Sequence, residues 1–236
     1  MSFKKQAAAG RITAWTVSKI KLYDECPRKA KYKMVDKLPE PGSPALERGS
    51  MLDECLEHYV TNRSPKLHLD IKASPKIKKL ADLLRKEYKE KRVRVQLELA
   101  FDRAWKACHW LAPNVYVRFK LDALHLLKGG KGNVIDWKSG RLKEGGEYDE
   151  QLNAYAVGVL TAGLVEHATA QLAFIDHNVI MTRPAGELSV GDLKAAQREW
   201  DKRAAPMLED KTFKPTPGNA CRWCPYSANK GGPCDF

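Results

Sequence analysis

RFKLDALHLLKGGKGNVIDWKSG, Arg118 to Gly140, is the stretch from which the fold is read. Before the glycines, Phe119 and Leu121 alternate with Arg118, Lys120 and Asp122, and Val115 and Val117 carry the apolar positions back. Period-2 alternation of this kind predicts a strand with one buried face. KGGKGN turns the chain, and VIDWK returns as a second strand, so the two form a hairpin. Asp136 and Lys138 then share one face, because residues two apart on a strand point the same way. An acid followed two positions later by lysine also occurs at Asp70, Glu87, Asp192 and Glu209, so the pair alone is a weak signal. What singles it out is its place at the end of an apolar strand, just before Ser139-Gly140.

Outward from the hairpin, VRVQLELAF sets Val93, Val95, Leu97, Leu99 and Phe101 against Arg94, Gln96 and Glu98, a further one-sided strand. Upstream the period is helical. Ser18 is expected to cap a short helix, Pro27 to open the next, Ala45 to Val60 to form a third, and Ser74-Pro75 to start a fourth through Ile77, Leu80, Leu83 and Leu84. Downstream, residues 147–163 read as a helix, ATAQLAFIDHNVIMTR as one or two strands, and 189–209 as a long amphipathic helix. Alternating helices and strands predict an α/β fold around a mixed sheet.

The chain of 236 residues is long enough for one substantial core or a core with an appendage. No apolar run approaches the ~18 residues of a membrane helix, and MSFKKQAAAGR has no apolar signal-peptide core, so a cytoplasmic protein is expected. Lys and Arg outnumber Asp and Glu by 41 to 29, for a net charge of +12. Such an excess fits a polyanionic partner, although many soluble proteins share it. Six cysteines in a chain of this type point to metal, redox chemistry or burial rather than disulfides.

On adjacent strands Asp122, Asp136 and Lys138 converge if the hairpin forms. Paired carboxylates suit Mg²⁺ or Mn²⁺, and a neighbouring lysine is placed to orient or help deprotonate a water. Glu98 is a possible support for the site; an exposed strand glutamate is the alternative. These motifs resemble the RecB-like branch of the PD-(D/E)XK nuclease superfamily. RFKLD and NVIDWKSG look like its GxxD and DxK strands, and EQLNAYA looks like its next helix motif, with Gln151 and Tyr155 four apart on one face. The resemblance implies a restriction-endonuclease-like core in which Asp122, Asp136, Lys138 and Gln151 serve catalysis and Tyr155 supports them. Without it, Gln151 and Tyr155 read as a packing pair. RGSMLDECLE resembles the helix carrying the family's GxxxH motif, but Asp53 stands where the family's metal-binding histidine would be. An aspartate also ligates Mg²⁺, while the departure leaves open a catalytically weakened DNA-binding or assembly subunit. His58 lies on another face and reads as an ordinary helix residue.

NACRWCPYSANKGGPC holds Cys221, Cys224 and, after nine intervening residues, Cys234. Three thiolates call for a fourth ligand, for which Cys26 in YDECPRKAKY is the best candidate, and zinc is the commoner occupant of such a motif. Cys55 and Cys108 read as buried thiols. One branch of the RecB-like family, typified by the AddB nuclease domain and CRISPR-associated exonucleases, carries one cysteine before the core and three after it around a [4Fe-4S] cluster. The resemblance therefore implies a cluster on Cys26, Cys221, Cys224 and Cys234, with zinc as the alternative. It divides the chain into a flexible basic N-terminus (1–17), a nuclease core (18–209) and a cysteine-rich segment (210–236).

The expected activity is thus a Mg²⁺- or Mn²⁺-dependent deoxyribonuclease, an exonuclease acting on single- or double-stranded DNA ends, with a helicase, recombinase or CRISPR-adaptation partner. Lys19, Lys21, Arg28, Lys29, Lys31 and Lys33, and the helix Lys76 to Arg92, offer cations for a phosphate backbone or simply a solvated face. Trp137, Trp223 and Tyr226 offer rings for base stacking, with burial the simpler expectation for each.

Overall fold

The computed structural model describes residues 10–142 and 146–236. Its elements run α1 (Val17–Glu25), α2 (Pro27–Met34), α3 (Pro44–Val60), α4 (Leu69–Lys72), α5 (Pro75–Lys89), β1 (Val93–Phe101), β2 (Val117–Leu126), β3 (Lys131–Lys138), α6 (Asp149–Thr161), β4 (His167–Phe174), β5 (Val179–Ser189) and α7 (Leu193–Glu209). The strands form one sheet in sequence order. Neighbours are antiparallel except β3 and β4, which run parallel. A parallel pair requires a crossover, and α6 supplies it. The expected mixed α/β sheet and the hairpin turning at Gly129-Gly130 are both present.

Two helical layers cover the sheet. On one face Leu52 and Leu56 of α3 and Ile77 and Leu84 of α5 pack on Val93, Ala123, Ile135 and Trp137. On the other, Leu152, Ala156 and Val159 of α6 pack on Leu121, Leu124, Val134 and Leu172. Beside α6, Trp15 is fully buried, stacked on Trp200 of α7 with ring centroids 5.0 Å apart and edge-on to Phe119. Geometries of this kind add about 0.5–1.5 kcal/mol per pair beyond area burial. Ile12 and Ala14 are buried too, so the lead-in expected to be flexible is packed from Ile12 onward. Residues 1–9 of that lead-in lie outside the described residues.

Three local expectations are corrected. Thr16 caps α1 in place of Ser18: its backbone is extended, and its hydroxyl accepts the Lys19 N–H at 3.2 Å, whereas Ser18 lies inside the first turn. Ser74 precedes α5 without a side-chain cap, because its hydroxyl donates to the Ile175 carbonyl and ties α5 to the end of β4. β1, moreover, is not one-sided. Val93 and Val95 pack with α3 and α5, whereas Leu97 and Leu99 pack toward α6. Gln96 sits between them at φ 50, in the left-handed region, and this one residue reverses the alternation. In β2 the same change of face falls between Leu121, on the α6 side, and Ala123, on the α3 side, which puts it at Asp122. Side chains at this paired irregularity are therefore accessible to helices from both layers.

Candidate active site

The site forms where β2 and β3 part. Their ladder ends at Ala123↔Ile135, and the next residues in line are Asp122 and Asp136. Instead of a ladder bond, the Trp137 N–H donates to Asp122 Oδ2 at 2.8 Å, holding that carboxylate against the central strand. Asp136 is only 4 % exposed. Its Oδ1 accepts Tyr155 OH at 2.6 Å and Gln151 Nε2 at 3.2 Å, and Gln151 also donates to Tyr155 at 2.7 Å. Spacing of i and i+4 on α6 aligns the two side chains, so they act as one bracket on Asp136.

Lys138 Nζ lies 2.5 Å from Asp136 Oδ2. At that distance the ammonium satisfies this buried oxygen as an ion pair. From the opposite layer comes Asp53 of α3. Its Oδ2 accepts Gln96 Nε2 at 3.1 Å, and its buried Oδ1 has no partner. The face reversal at Gln96 is what turns this glutamine toward α3.

Electrostatics confirm the crowding. Burial, then the charges of Asp136 and Asp53, push the Asp122 carboxyl well above its ordinary value. Asp53 is likewise raised by burial, partly offset by its bond to Gln96 and by Lys120. Burial works against a charge on Lys138, but Asp136 outweighs it and the ammonium is held above its usual range. Tyr155 is raised by burial and Asp136, which keeps its hydroxyl a donor. Three carboxyl groups crowd Lys138, with Lys120 acting on Asp53 as well, and one buried oxygen, Asp53 Oδ1, has no partner. That donor set fits a hard divalent cation. Among the described residues no three His, Cys, Asp or Glu side chains stand in a geometry that encloses a single ion. Mg²⁺ needs no such cage, since it is commonly held by one or two carboxylates with water and substrate phosphate.

Glu98 does not join this group. It is exposed on β1 opposite Lys120, and Gln96 occupies the position at the site. Nothing in the residue pattern marks Gln96, whose role depends on a left-handed backbone at a non-glycine position. Equally hidden is the bracket that docks α3. Arg48 donates from Nη1 and Nη2 to Asp176 at 3.0 and 2.7 Å and also binds Asp70, while Asp176 accepts the Gly140 N–H at 2.8 Å. Gly49 lies so close to the following loop that a Cβ there would stand 3.1 Å from Ser139 Oγ. Asp53 and Lys138 are thus held by one framework.

Cys26, Cys221, Cys224 and Cys234 line a single recess, together with Tyr32 and Thr216. Cys234 reaches it because the intervening loop folds back: its N–H bonds to the Tyr226 carbonyl at 3.0 Å. Gly232 passes so near Tyr226 that a Cβ would meet backbone at 2.3 Å. Backbone N–H groups of Thr216 and Gly218 point at Cys26 and Cys221 sulfurs, each at 3.5 Å, the kind of donor that supports metal-bound thiolates. Cys55 and Cys108 lie elsewhere, each partly buried. Of the three aromatics, Trp137 and Tyr226 are buried as expected, whereas Trp223 is 81 % exposed because it sits on a short 3-10 turn with no element above it.

A mixed sheet of this order, with an acid and a lysine closing its central strand, is consistent with the core of a metal-dependent nuclease. A sequence profile of the PD-(D/E)XK nuclease superfamily matches residues 14–229, and the chain belongs to that superfamily. No curated protein matches it. Among solved structures, that of SSO0001 is similar at 14% identity with a TM-score of 0.46, covering 92% of this chain and 86% of that one.

Proposed function

We propose that the protein is a Mg²⁺- or Mn²⁺-dependent deoxyribonuclease acting at DNA ends, with Asp122 and Asp136 as the cation's ligands and Asp53 beside them. The convergence of these three carboxyl groups with Lys138, Asp53 Oδ1 buried without a partner among them, carries this reading. When bound, a divalent cation supplies charge for the transition state of phosphodiester hydrolysis and lowers the pKa of attacking water. The chain's own residues do the positioning. Lys138 presents a fixed ammonium to a phosphate oxygen, and Tyr155 with Gln151 keeps Asp136 from rotating. Asp53 stands in for the family's histidine with an oxygen donor. The end-directed mode rests on the resemblance to the RecB-like branch, as does a helicase, recombinase or CRISPR-adaptation partner. A cytoplasmic location is consistent with the lack, among the described residues, of any helix long and apolar enough to cross a membrane.

The four cysteines would hold a [4Fe-4S] cluster that ties the segment after α7 to the start of α2. What supports this reading is the resemblance to the iron-sulfur branch together with four thiols that line one recess; zinc, the commoner occupant of such a motif, is the alternative.

Anaerobically purified protein, incubated with end-labelled single- and double-stranded linear DNA and Mg²⁺ or Mn²⁺, tests both parts beside Lys138→Ala. Metal-dependent shortening that the substitution abolishes supports the nuclease. Binding without cleavage by wild-type protein refutes it in favour of a DNA-holding subunit. Broad absorbance near ~400 nm with bound iron supports the cluster, and stoichiometric zinc in colourless protein refutes it.

A further inference from the structure

Beside the carboxylates lies a second recess, of about 330 Å³, walled by the first turn of α1, the loop before β2, and β2 itself. Gln151 and Tyr155, the bracket on Asp136, form one end of it. Trp110, Arg118 and Lys120 form the rest, with Lys21 at the rim. Its volume is at the lower end of small-ligand sites, and its composition is unusual for a structural gap. Arg118 donates from Nε to the Trp110 carbonyl at 2.9 Å and lies over the indole at 5.5 Å. Among the described residues neither Arg118 nor Lys120 makes an ion pair with a carboxylate. Their charge is strong enough locally that Arg118, after burial, helps push the ammonium of neighbouring Lys19 down to about 8. Cations without a direct ion pair around a half-exposed indole match a phosphate joined to an aromatic base.

We propose that this recess binds one nucleotide of the substrate strand next to the scissile phosphate, its base against Trp110 and its phosphate on Arg118 and Lys120. The inference rests on the nuclease reading only for its position along the strand. Binding itself requires no cleavage. A single nucleotide fills the recess, so the strand that enters it is locally unpaired.

The test is equilibrium binding of a fluorescent oligothymidylate in EDTA, where no hydrolysis occurs, across a series of KCl concentrations. The variants are Lys120→Gln, Trp110→Ala and Trp110→Phe, with Lys79→Gln on exposed α5 as the charge-matched control. Each phosphate contact on a single strand contributes about 0.7 to the salt slope. Lys120→Gln is therefore expected to lower the slope by about 0.7 while Lys79→Gln leaves it unchanged. Trp110→Ala should weaken binding roughly ten- to a hundredfold, with Trp110→Phe restoring most of it. The backbone carbonyl that holds Arg118 survives both tryptophan changes, and a native circular-dichroism spectrum checks each fold. Wild-type affinity in Trp110→Ala, or equal slopes in Lys120→Gln and Lys79→Gln, overturns the proposal. Should wild-type protein bind but not cleave DNA with Mg²⁺ or Mn²⁺, the nuclease reading falls while the recess stands or falls on these binding data alone.

Discussion

Asp122→Asn should stabilise the metal-free protein while abolishing metal-dependent cleavage. When ionised, Asp122 sets a charge beside those of Asp136 and Asp53, and burial leaves little water to screen them. Two like charges within roughly 6 Å repel by about 2–3 kcal/mol each at an effective dielectric near 20. Against this, the Trp137 N–H now donates to a neutral oxygen, a loss of about 1 kcal/mol. Wild-type Asp122 also escapes part of the repulsion by taking up a proton, which caps the gain at about 1–4 kcal/mol. An amide Nδ2 further adds a donor to a site in which Asp53 Oδ1 is buried without a partner. For a chain of this length the net corresponds to a melting point higher by roughly 3–10 °C in EDTA. The raised carboxyl value fixes the pH window. Near and below pH 3.8, the ordinary value, Asp122 is protonated folded and unfolded alike and the advantage disappears. It grows as pH rises and levels off above the folded-state value. Thermal unfolding by circular dichroism at pH 4 and pH 8, with and without Mg²⁺, measures all of this. A variant that melts at or below wild type at pH 8 in EDTA, with a native spectrum, refutes the crowding argument. So does an equal difference at both pH values.

Two other perturbations follow from close contacts. Gly158→Ala on α6 sets a Cβ 2.9 Å from Phe119, whose ring is confined by Trp15 and Phe101. Overpacking of that kind costs about 1–3 kcal/mol, and the displaced helix carries Gln151 and Tyr155, so both melting point and cleavage rate should fall; an unchanged rate would mean that α6 does not position Asp136. Asp210, despite the opposing effect of burial, is held down to about 2 by backbone bonds from Phe213 and Thr212 and by Tyr23. Its stabilisation is complete above its ordinary value of 3.8 and is lost as pH falls through about 2; Asp210→Asn should therefore flatten the acid limb of the urea midpoint against pH, and an identical limb would refute the assignment.

What the residue pattern disclosed was local. Asp122, Asp136 and Lys138 were legible because alternation and a glycine turn fix their strands within one hairpin, whereas Gln151 and Tyr155, aligned by helical spacing, read as a packing pair apart from the family resemblance. Gln96 was not, since a left-handed residue in mid-strand without glycine leaves no mark, and its effect is to reverse the faces of everything after it in β1. Arg48 and Asp176 were hidden for a different reason: they are brought together only by the docking of α3 on the turn after β4. The exposure of Trp223 was missed because a large aromatic beside two cysteines reads as core. Trp110 and Arg118 acquire meaning only when the loop before β2 is laid against α1.

The ties between the first helices and the cysteine-rich segment also bear on how the chain folds. Arg28 bonds to the Phe213 carbonyl, Tyr32 to Pro233 and Tyr226 to Leu38, partners separated by 185, 201 and 188 residues. Closing loops of that length is slow compared with forming the hairpin and its helices. During synthesis the sheet has its strands in hand long before residues 213 to 233 emerge, and α2 waits with its lysines and Cys26 uncovered. The final closure is thus a late step: a chain interrupted after α7 retains every strand of the sheet but lacks the bonds that tie Arg28, Tyr32 and Leu38 to the closing segment.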